Sequence, residues 1–546
     1  MKKKRLLFVL IFSNIFFLVA QKNGNLSGGY ESYLQYYQDD EPTNFLAPSD
    51  KLRSMHYFTT QYSLNTFSFG VKYEAFLPQA FLGYNPALKG NGIATYFARY
   101  KNNNLDITVG NFYEQFGSGL AFRAWEDRQL GIDNAIKGLR LKYNFDEIVD
   151  VTVLTGNQRL GFEVSKSTLY ATNVDIDINK LLKSENINLK TGFSYIGRYQ
   201  ELSGGNPNME YLAGNYSSRI NLSKNNFYAD LEYVYKESDA RVVNQILLDQ
   251  VLFDGDAWLL NLGYSQHGLG INTTLRRLEN IQMYSERLLE GNPYNNGVMN
   301  FIPGLTKQHD FSLANIYVYQ AQPSISFGEE KVGEIGGQID LFYTFKRKSL
   351  IGGKYGTKFA FNFSRWHGLK ADFNLPKQIY TTNFLQPGEL YYQDINLEIR
   401  KKVSKKLKTV FSYINLKYNK PKLEGEGEFV NAQIIVGDFE VKLPDKRSTR
   451  LELQHLNTDD DLKSWAAILF EFNFNYNFSI YASDMYNYGN EVEKLHYFNT
   501  GISYNKSSTR LSINYGRQRG GLLCVGGICR YVPANKGVTL SMSLSF

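Results

Sequence analysis

The C-terminal stretch VTLSMSLSF, from Val538 to Phe546, alternates apolar and small polar side chains without a break. Because successive side chains of a β-strand point to opposite sides, its apolar residues share one face and its serine and threonine residues share the other. The stretch therefore predicts a strand with two unlike faces. The apolar face consists of Val538, Leu540, Met542, Leu544 and Phe546.

The same alternation recurs along most of the chain. Leu105 to Gly110 and Val174 to Asn179 are two examples in which polar or charged residues lie on the second face. The longest run extends from Phe470 to Ile480 and exceeds one typical strand, so we expect a tight turn near Asn475 to Asn477. Repeated amphipathic strands of this kind predict an all-β protein.

The N-terminus has the three parts of a secretory signal. MKKKR precedes an apolar run of 15 residues, Leu6 to Ala20, which is followed by the polar stretch QKNGN. The run is shorter than the roughly 20 residues of a spanning helix, so an uncleaved anchor is the weaker alternative. Position 21 is Gln rather than Cys, which argues against a lipidated N-terminus. We expect a signal peptide at 1–20 and a single mature domain at 21–546.

The composition of this domain indicates a membrane protein of the β-barrel type. The formal charge is +7, and removal of the leader leaves 56 basic against 53 acidic residues, a balance that predicts no nucleic acid partner. Mean hydropathy is −0.36, yet the chain carries 40 Tyr and 38 Phe. Aromatic residues at this density suit the girdles at membrane interfaces, and the 21% of charged residues suit the inner face of a barrel.

The alternative fold is a soluble β-sandwich or β-solenoid, which would also alternate. A sandwich of this length should split into domains, whereas here the pattern continues from about Asn25 to Phe546 without a linker. Only a sheet without free edges can cross a bilayer, because lipid offers no hydrogen bonds to the backbone. We therefore predict one closed antiparallel transmembrane β-barrel of about 24 strands, within a range of 22 to 26.

Turns of two lengths alternate along the chain. The short ones should face the periplasm and the long ones the outside. The predicted short turns are Lys101 to Asn104, Asn144 to Glu147, Ser223 to Asn226, Val403 to Lys406 and Asn505 to Ser508. The predicted long external loops are Ser238 to Asp256, Met283 to Gln308, Gly368 to Glu389 and Asn419 to Glu428.

Both cysteines lie in LLCVGGICRYVP. If Gly526 and Gly527 form a two-residue hairpin turn, Cys524 faces Cys529 in a non-hydrogen-bonded pair within disulfide reach. An oxidising periplasm then favours a disulfide that stabilises an external hairpin. A metal site is the weaker alternative because the chain has only two thiols.

The segment with the most functional character is FYEQFGSGLAFRAWEDRQLGIDN, from Phe112 to Asn134. Its mixed charges and three glycines suit a loop that folds into the barrel lumen, where ion pairs would hold it and narrow the channel. A charged surface loop is the equal alternative. The candidate constriction residues are Glu114, Arg123, Glu126, Asp127, Arg128 and Asp133.

This segment, together with CVGGICRYVP and the closing aromatic strand, resembles a family of large outer-membrane β-barrels of Gram-negative bacteria that has no assigned function. The resemblance covers nearly the whole mature chain. It implies the outer membrane as location and transfers no catalytic or ligand residue. The terminal strand ending in Phe546 also resembles the signal that the outer-membrane assembly machinery reads.

No sequence motif supports an enzymatic function. The six histidines are scattered, and none accompanies a nucleophile or acid in a recognisable motif. We expect no enzymatic activity, no cofactor and no metal site. The basic run from Arg400 to Lys408 surrounds a predicted periplasmic turn, where it could meet anionic headgroups or a partner, or remain a solvated turn.

Two function classes remain. One is a channel or porin-like protein for hydrophilic solutes, with the segment 112–134 as its filter. The other is a non-transporting subunit of an outer-membrane protein complex, whose lumen is occluded. The first is preferred because a barrel of this circumference encloses space that must hold water or a plug. The expected partners are outer-membrane lipid and lipopolysaccharide, the assembly machinery and such a complex.

Overall fold

The computed structural model describes residues 24–183, 187–201, 205–492 and 494–546. The predicted signal peptide at 1–20 lies outside the described residues. Within these ranges, 24 strands form one barrel. They are β1 Gly24–Gln38, β2 Leu52–Leu64, β3 Phe67–Gln79, β4 Lys89–Lys101, β5 Leu105–Phe112, β6 Ile136–Phe145, β7 Val149–Leu160, β8 Thr168–Asp177, β9 Asn188–Tyr199, β10 Leu212–Lys224, β11 Phe227–Val243, β12 Ile246–Gln266, β13 Leu269–Glu279, β14 Gly333–Phe345, β15 Thr357–Asn374, β16 Ile379–Lys402, β17 Leu407–Asn419, β18 Phe429–Lys442, β19 Ser448–Asn457, β20 Trp465–Asn473, β21 Phe478–Tyr486, β22 His496–Lys506, β23 Thr509–Gln518 and β24 Asn535–Ser545.

Each strand pairs antiparallel with the next one along the chain, and the first strand pairs with the last. Strand β1 has β2 on one side and β24 on the other, with Gly29 opposite Ser545 and Gln38 opposite Lys536. The sheet is therefore closed and has no free edge, as a membrane-spanning sheet requires. The predicted fold class is confirmed, and the strand number falls on the predicted value.

One end of the barrel carries the short turns. All five predicted short turns join consecutive strands there, and a turn at 474–477 separates β20 from β21 as expected. The two chain ends of the described barrel meet at the same end, where Gly28 and Phe546 exchange two backbone hydrogen bonds of 3.0 Å. Since short turns mark the periplasmic side of bacterial barrels, this end is the periplasmic one.

The opposite end departs from the sequence prediction. Ser238 to Asp256 and Gly368 to Glu389 are not loops but the ends of long hairpins, because the β11–β12 and β15–β16 ladders continue past β-bulges. The predicted loop Met283 to Gln308 is only half of a connection that runs from 280 to 332. The connection from 420 to 428 agrees with the prediction and includes a short helix, Lys420–Glu424.

The two faces of the wall differ as the alternation predicts. On β10, the Arg219 side chain bonds to Ser194 on β9 and Asn173 on β8, whereas Ile220, the next residue along β10, is 51% exposed on the other face. Polar inner and apolar outer side chains identify a transmembrane barrel of the cell outer membrane.

The longest connections add helical turns of only a few residues to this barrel. Among the described residues, no helix is long and apolar enough to span a membrane.

Candidate functional site

Segment 112–134, between β5 and β6, is built from two small ladders. Gln115–Phe116 pairs with Phe122–Arg123, and Glu126–Asp127 pairs with Ile132–Asp133. Gly117 has a φ of +53° and lies so close to the wall that an added Cβ would overlap the side chain of Arg219 on β10. Both the backbone conformation and the close wall side chain favour glycine where this segment passes the wall.

The centre of the segment belongs to a buried ion-pair cluster with the wall. The Lys72 ammonium on β3 lies 3.2 Å from Glu74 and 3.3 Å from Glu126, and it also bonds to Asp133. Arg159 on β7 bonds to both Asp133 and Glu74. Burial would raise the pKa of Asp133, but Arg159 and Lys72 outweigh it and lower that pKa.

The carboxylates of Glu74, Glu126 and Asp133 are close enough together to hold a metal ion. The Lys72 ammonium already bonds to all three, and the Arg159 guanidinium adds a second positive charge. Two cations therefore balance most of the charge of three carboxylates. The arrangement fits an ion-pair network that joins segment 112–134 to β3 and β7.

The other predicted site residues make separate contacts. Arg128 bonds to Glu31 on β1 at 2.6 Å and to Glu126 at 2.8 Å. Glu114 bonds to Lys142 on β6 at 2.7 Å. The structure thus brings Glu126, Arg128 and Asp133 together and leaves Glu114 apart from them.

Two predicted residues have no ion-pair partner among the described residues. Arg123 lies over the ring of Phe301, with its guanidinium carbon 4.0 Å from the ring centroid. The Asp127 side chain accepts a hydrogen bond of 3.0 Å from the backbone N–H of Leu130. Arg123 therefore contacts a second connection, and Asp127 stabilises a local turn.

The connection 280–332 is the main feature of the barrel interior that the sequence did not predict. The carbonyl oxygen of Val298 accepts hydrogen bonds from Gln158 on β7 at 2.8 Å and from Asn134 at 2.9 Å. Further along, the backbone N–H of Leu313 donates to Gln454 on β19 at 3.0 Å. Strands β7 and β19 are on opposite sides of the ring, so this connection crosses the barrel.

Apolar side chains hold the second half of the connection. Phe311, Leu313, Tyr317 and Tyr319 are all buried in one cluster with inner side chains of β15 to β20. The wall residues of that cluster are Trp366, Tyr391, Tyr392, Ile414, Leu416, Tyr418, Val430, Ala432, Ile434, Val436, Leu456, Trp465 and Ala467.

The inner face of β18 holds the signal that could have revealed this packing. Val430, Ala432, Ile434 and Val436 point inward, whereas Asn431 and Gln433 point outward. An apolar inner face in a barrel with a polar lumen predicts that something packs against it.

A buried ion pair anchors the same connection near its return to the wall. Arg276 on β13 bonds to Glu334 on β14 at 2.6 Å, and both side chains are at most 1% exposed. The Tyr319 hydroxyl also donates to Glu334, while Arg276 donates to the carbonyl of Pro303 at 2.7 Å. These bonds offset part of the cost of burying the charge pair.

The predicted disulfide is confirmed. Cys524 pairs with Cys529 in the two-stranded hairpin Gly521–Val525 and Ile528–Val532, and the bridge is formed. The hairpin lies between β23 and β24, at the end of the barrel with the long connections, and the backbone N–H of Gly304 donates to the Gly527 carbonyl at 2.7 Å. The hairpin therefore packs on the connection 280–332.

One histidine pairs with a serine, although no sequence motif predicts this pair. Ser32 Oγ lies 2.9 Å from His56 Nδ1, and Tyr30 contacts the same nitrogen at 3.0 Å. No hydrogen bond to Nε2 of His56 occurs among the described residues, so the pair lacks the group that would orient a catalytic base.

Comparisons with solved structures find other barrels. The P pilus usher PapC translocation pore has 10% identity and a TM-score of 0.43, with 95% of this chain and 99% of that chain covered. The siderophore receptor PirA of Pseudomonas aeruginosa has 9% identity and a TM-score of 0.43, with 96% and 80% covered. The outer membrane protein opdK of the same organism has 7% identity and a TM-score of 0.36, with 96% and 99% covered.

A search of curated proteins gives no match. The model of one protein family matches residues 1–546, the whole chain. The protein therefore belongs to the family of unknown function DUF6029.

Proposed function

We propose that the protein is an outer-membrane barrel that is closed at rest and acts as a non-conducting, non-enzymatic subunit of an outer-membrane protein complex. The observation that carries the proposal is the connection 280–332, which bonds to Gln158 and Gln454 on opposite walls. A chain fixed at both walls crosses the lumen and narrows any aqueous path at its level.

The packing of this connection argues for a permanent closure rather than a gate. Burial of one large apolar side chain stabilises by roughly 1.5–3 kcal/mol, so four of them contribute on the order of 6–12 kcal/mol. Since about 1.4 kcal/mol corresponds to a factor of ten, these contacts alone favour the closed state by about 10⁴-fold or more, and the entropy that a released chain regains offsets part of this. The four side chains are those of Phe311, Leu313, Tyr317 and Tyr319.

Segment 112–134 is part of the proposed closure. It bonds to strands from β1 to β11, including Glu31 through Arg128 and Glu232 through the backbone N–H of Ser118. It is also joined to the connection 280–332 by a hydrogen bond of 2.9 Å from Phe301 to Gly119. We infer that the segment folds inward and fills the part of the lumen next to the inner faces of β1 to β11.

The periplasmic end offers a surface for a partner. Three neighbouring turns, between β14 and β19, carry exposed basic residues at 346–348, 401–406 and 446–447. Among the described residues, Arg447 is the member of these groups that has a carboxylate partner within 4.0 Å, namely Asp445. The unbalanced positive charge suits a partner with an acidic face.

Planar-bilayer recording tests the closure. The wild-type protein should be silent, and replacement of 309–319 by a Gly/Ser chain of equal length should produce steady conductance. The matched control replaces the periplasmic turn 346–356 by a Gly/Ser chain of the same length. This variant should show no conductance. Faster migration of unboiled protein in a denaturing gel shows that each variant has formed a barrel. Steady wild-type conductance contradicts the proposal.

Native gels of solubilised membranes test the complex. The protein should migrate in an assembly larger than its 62.6 kDa chain. Replacement of Lys405 and Lys406 by Glu should reduce that assembly, because it reverses the charge of the basic turns. The same replacement of Lys180 and Lys183, on another periplasmic turn, is the control. A wild-type protein that migrates as a monomer contradicts the complex.

A channel for hydrophilic solutes, with segment 112–134 as its filter, is the second candidate. The observation that favours it is that Glu126, Arg128 and Asp133 are held by ion pairs, which salt or a charged solute weakens more than apolar packing. For this candidate, wild-type conductance should be present and should rise when Gly117 to Asn134 are deleted.

A further inference from the structure

A cavity of about 330 Å³ lies where the closing segments meet. Its wall combines Trp125 of segment 112–134, much of the connection 280–332 and the tip of the disulfide hairpin at Gly527 to Cys529. At about 30 Å³ per molecule the space corresponds to about ten waters, which is at the small end of ligand pockets.

The lining of the cavity is polar, and its net charge is zero. Its charged residues, Glu329 and Lys331, bond to each other at 2.6 Å, so neither is left to balance a charged ligand. Hydroxyl and amide side chains make up most of the remaining polar wall, and each amide both donates and accepts hydrogen bonds. The members of this polar wall are Gln282, Asn292, Asn295, Asn300, Gln320, Gln322, Ser324 and Ser326.

Two of these polar groups are not used inside the protein. The side-chain amide of Gln320 and the hydroxyl of Ser324 have no hydrogen-bond partner among the described residues, whereas Asn300 and Asn292 are bound by their own connection. The Asn295 amide donates to the Cys529 carbonyl at 3.0 Å and has its oxygen left to accept. The Gln320 and Ser324 side chains are both partly exposed, so their donors and acceptors are available to a ligand that enters the cavity.

Two aromatic rings complete the wall. Trp125 is held edge-on by Phe301, with ring centroids 5.5 Å apart, and Tyr284 lies on the connection itself. Aromatic faces attract apolar C–H groups. This lining suits a ligand whose rim carries hydroxyl groups and whose faces carry C–H groups. The hydroxyl groups would bond to the amides, and the C–H groups would contact the rings.

We propose that this cavity binds a small neutral saccharide. An anion would find no unpaired cation in the lining, and an apolar ligand would leave Gln320 and Ser324 without partners. The proposal goes beyond the closed barrel, because the cavity lies between the closing segments and needs no open lumen.

Isothermal titration of the purified detergent-solubilised protein tests the site. The probes are glucose, maltose, lactose, N-acetylglucosamine and chitobiose, with inorganic phosphate as the anionic probe. We expect at least one sugar to bind with a Kd in the millimolar range or tighter, and phosphate not to bind. Absence of binding by all five sugars, or binding of phosphate instead, overturns the proposal.

Variants identify the cavity as the place of binding. Gln320→Ala with Ser324→Ala should weaken the sugar at least tenfold, and Ser324→Ala alone should weaken it less. Gln308→Ala, at an exposed position of the same connection, is the matched control and should leave the Kd unchanged. Equal affinity in wild type and the double variant overturns the assignment. Bilayer recording of the same samples reports on the closed barrel separately.

Discussion

Gln158 and Gln454 lie on β7 and β19, on opposite sides of the barrel, and their amides bond to the backbone of the same connection. Both side chains are buried, with exposures of 0% and 6%. An amide buried in this way needs partners, and the connection supplies one to each glutamine. The two glutamines therefore fix the connection to opposite walls, one at Val298 and the other at Leu313.

Leu313→Ala should weaken this closure. Leu313 is fully buried, so its truncation should cost about 2–5 kcal/mol from lost burial and the cavity left behind. The measurement is the temperature at which unboiled protein loses its fast gel mobility, together with the rate of tryptic cleavage at Lys307. Leu288→Ala is the control, because Leu288 belongs to the same connection and is 53% exposed. Equal effects of the two variants would show that the burial of Leu313 is not decisive.

The Asp133 cluster should make stability depend on pH. The pKa of Asp133 is lower in the folded state than in the unfolded state. The ion pairs of Asp133 therefore stabilise the folded state at pH values above the unfolded pKa of about 4. That contribution is lost as the pH falls through the still lower folded pKa. Asp133→Asn should therefore cost about 3 kcal/mol at pH 7, and the difference from wild type should shrink below pH 4.

Thermal unfolding between pH 7 and pH 3 measures this difference. Asp127→Asn is the matched control, because Asp127 lies in the same segment and holds only a local turn. It should show a small effect that is the same at every pH. A pH-independent loss for Asp133→Asn would mean that its charge does not stabilise the fold.

The disulfide should be formed in the mature protein and should tighten the closure. Thiol labelling should fail at Cys524 and Cys529 without reductant and succeed at both after reduction of the unfolded chain. Replacement of both by Ser should destabilise the hairpin by about 2 kcal/mol, since the bridge closes a short loop. Faster proteolysis at Arg530, compared with the unchanged rate at Arg447, measures the effect. Labelling without reductant contradicts the bridge.

The sequence predicts the barrel well because its determinants are local. The alternation in Val538 to Phe546 defines the two faces of a strand, and the glycine pair at 526 and 527 defines the register that brings the two cysteines together. These features depend on residues a few positions apart, so they can be recognised without knowledge of the fold.

The closing segments depend on contacts that are distant in the sequence. Asp133 finds its partners at Lys72 and Arg159, and Leu313 finds its partner at Gln454. The charges of segment 112–134 indicate ion pairs but not which wall residues form them. The apolar inner positions of β17 and β18 are local signs that the lumen is filled there.

Deletion of Phe546 should reduce the amount of barrel in the outer membrane. The backbone of Phe546 exchanges hydrogen bonds with Gly28 of β1, so the terminal residue extends the ladder that closes the sheet. Loss of these bonds removes the last part of the seam and the C-terminal aromatic residue that the assembly machinery is expected to read. Surface abundance, measured by protease accessibility of whole cells, should fall several-fold. Phe546→Tyr keeps the ring and the backbone bonds and should assemble normally. Normal abundance of the deletion variant would show that neither the seam nor the aromatic terminus limits assembly.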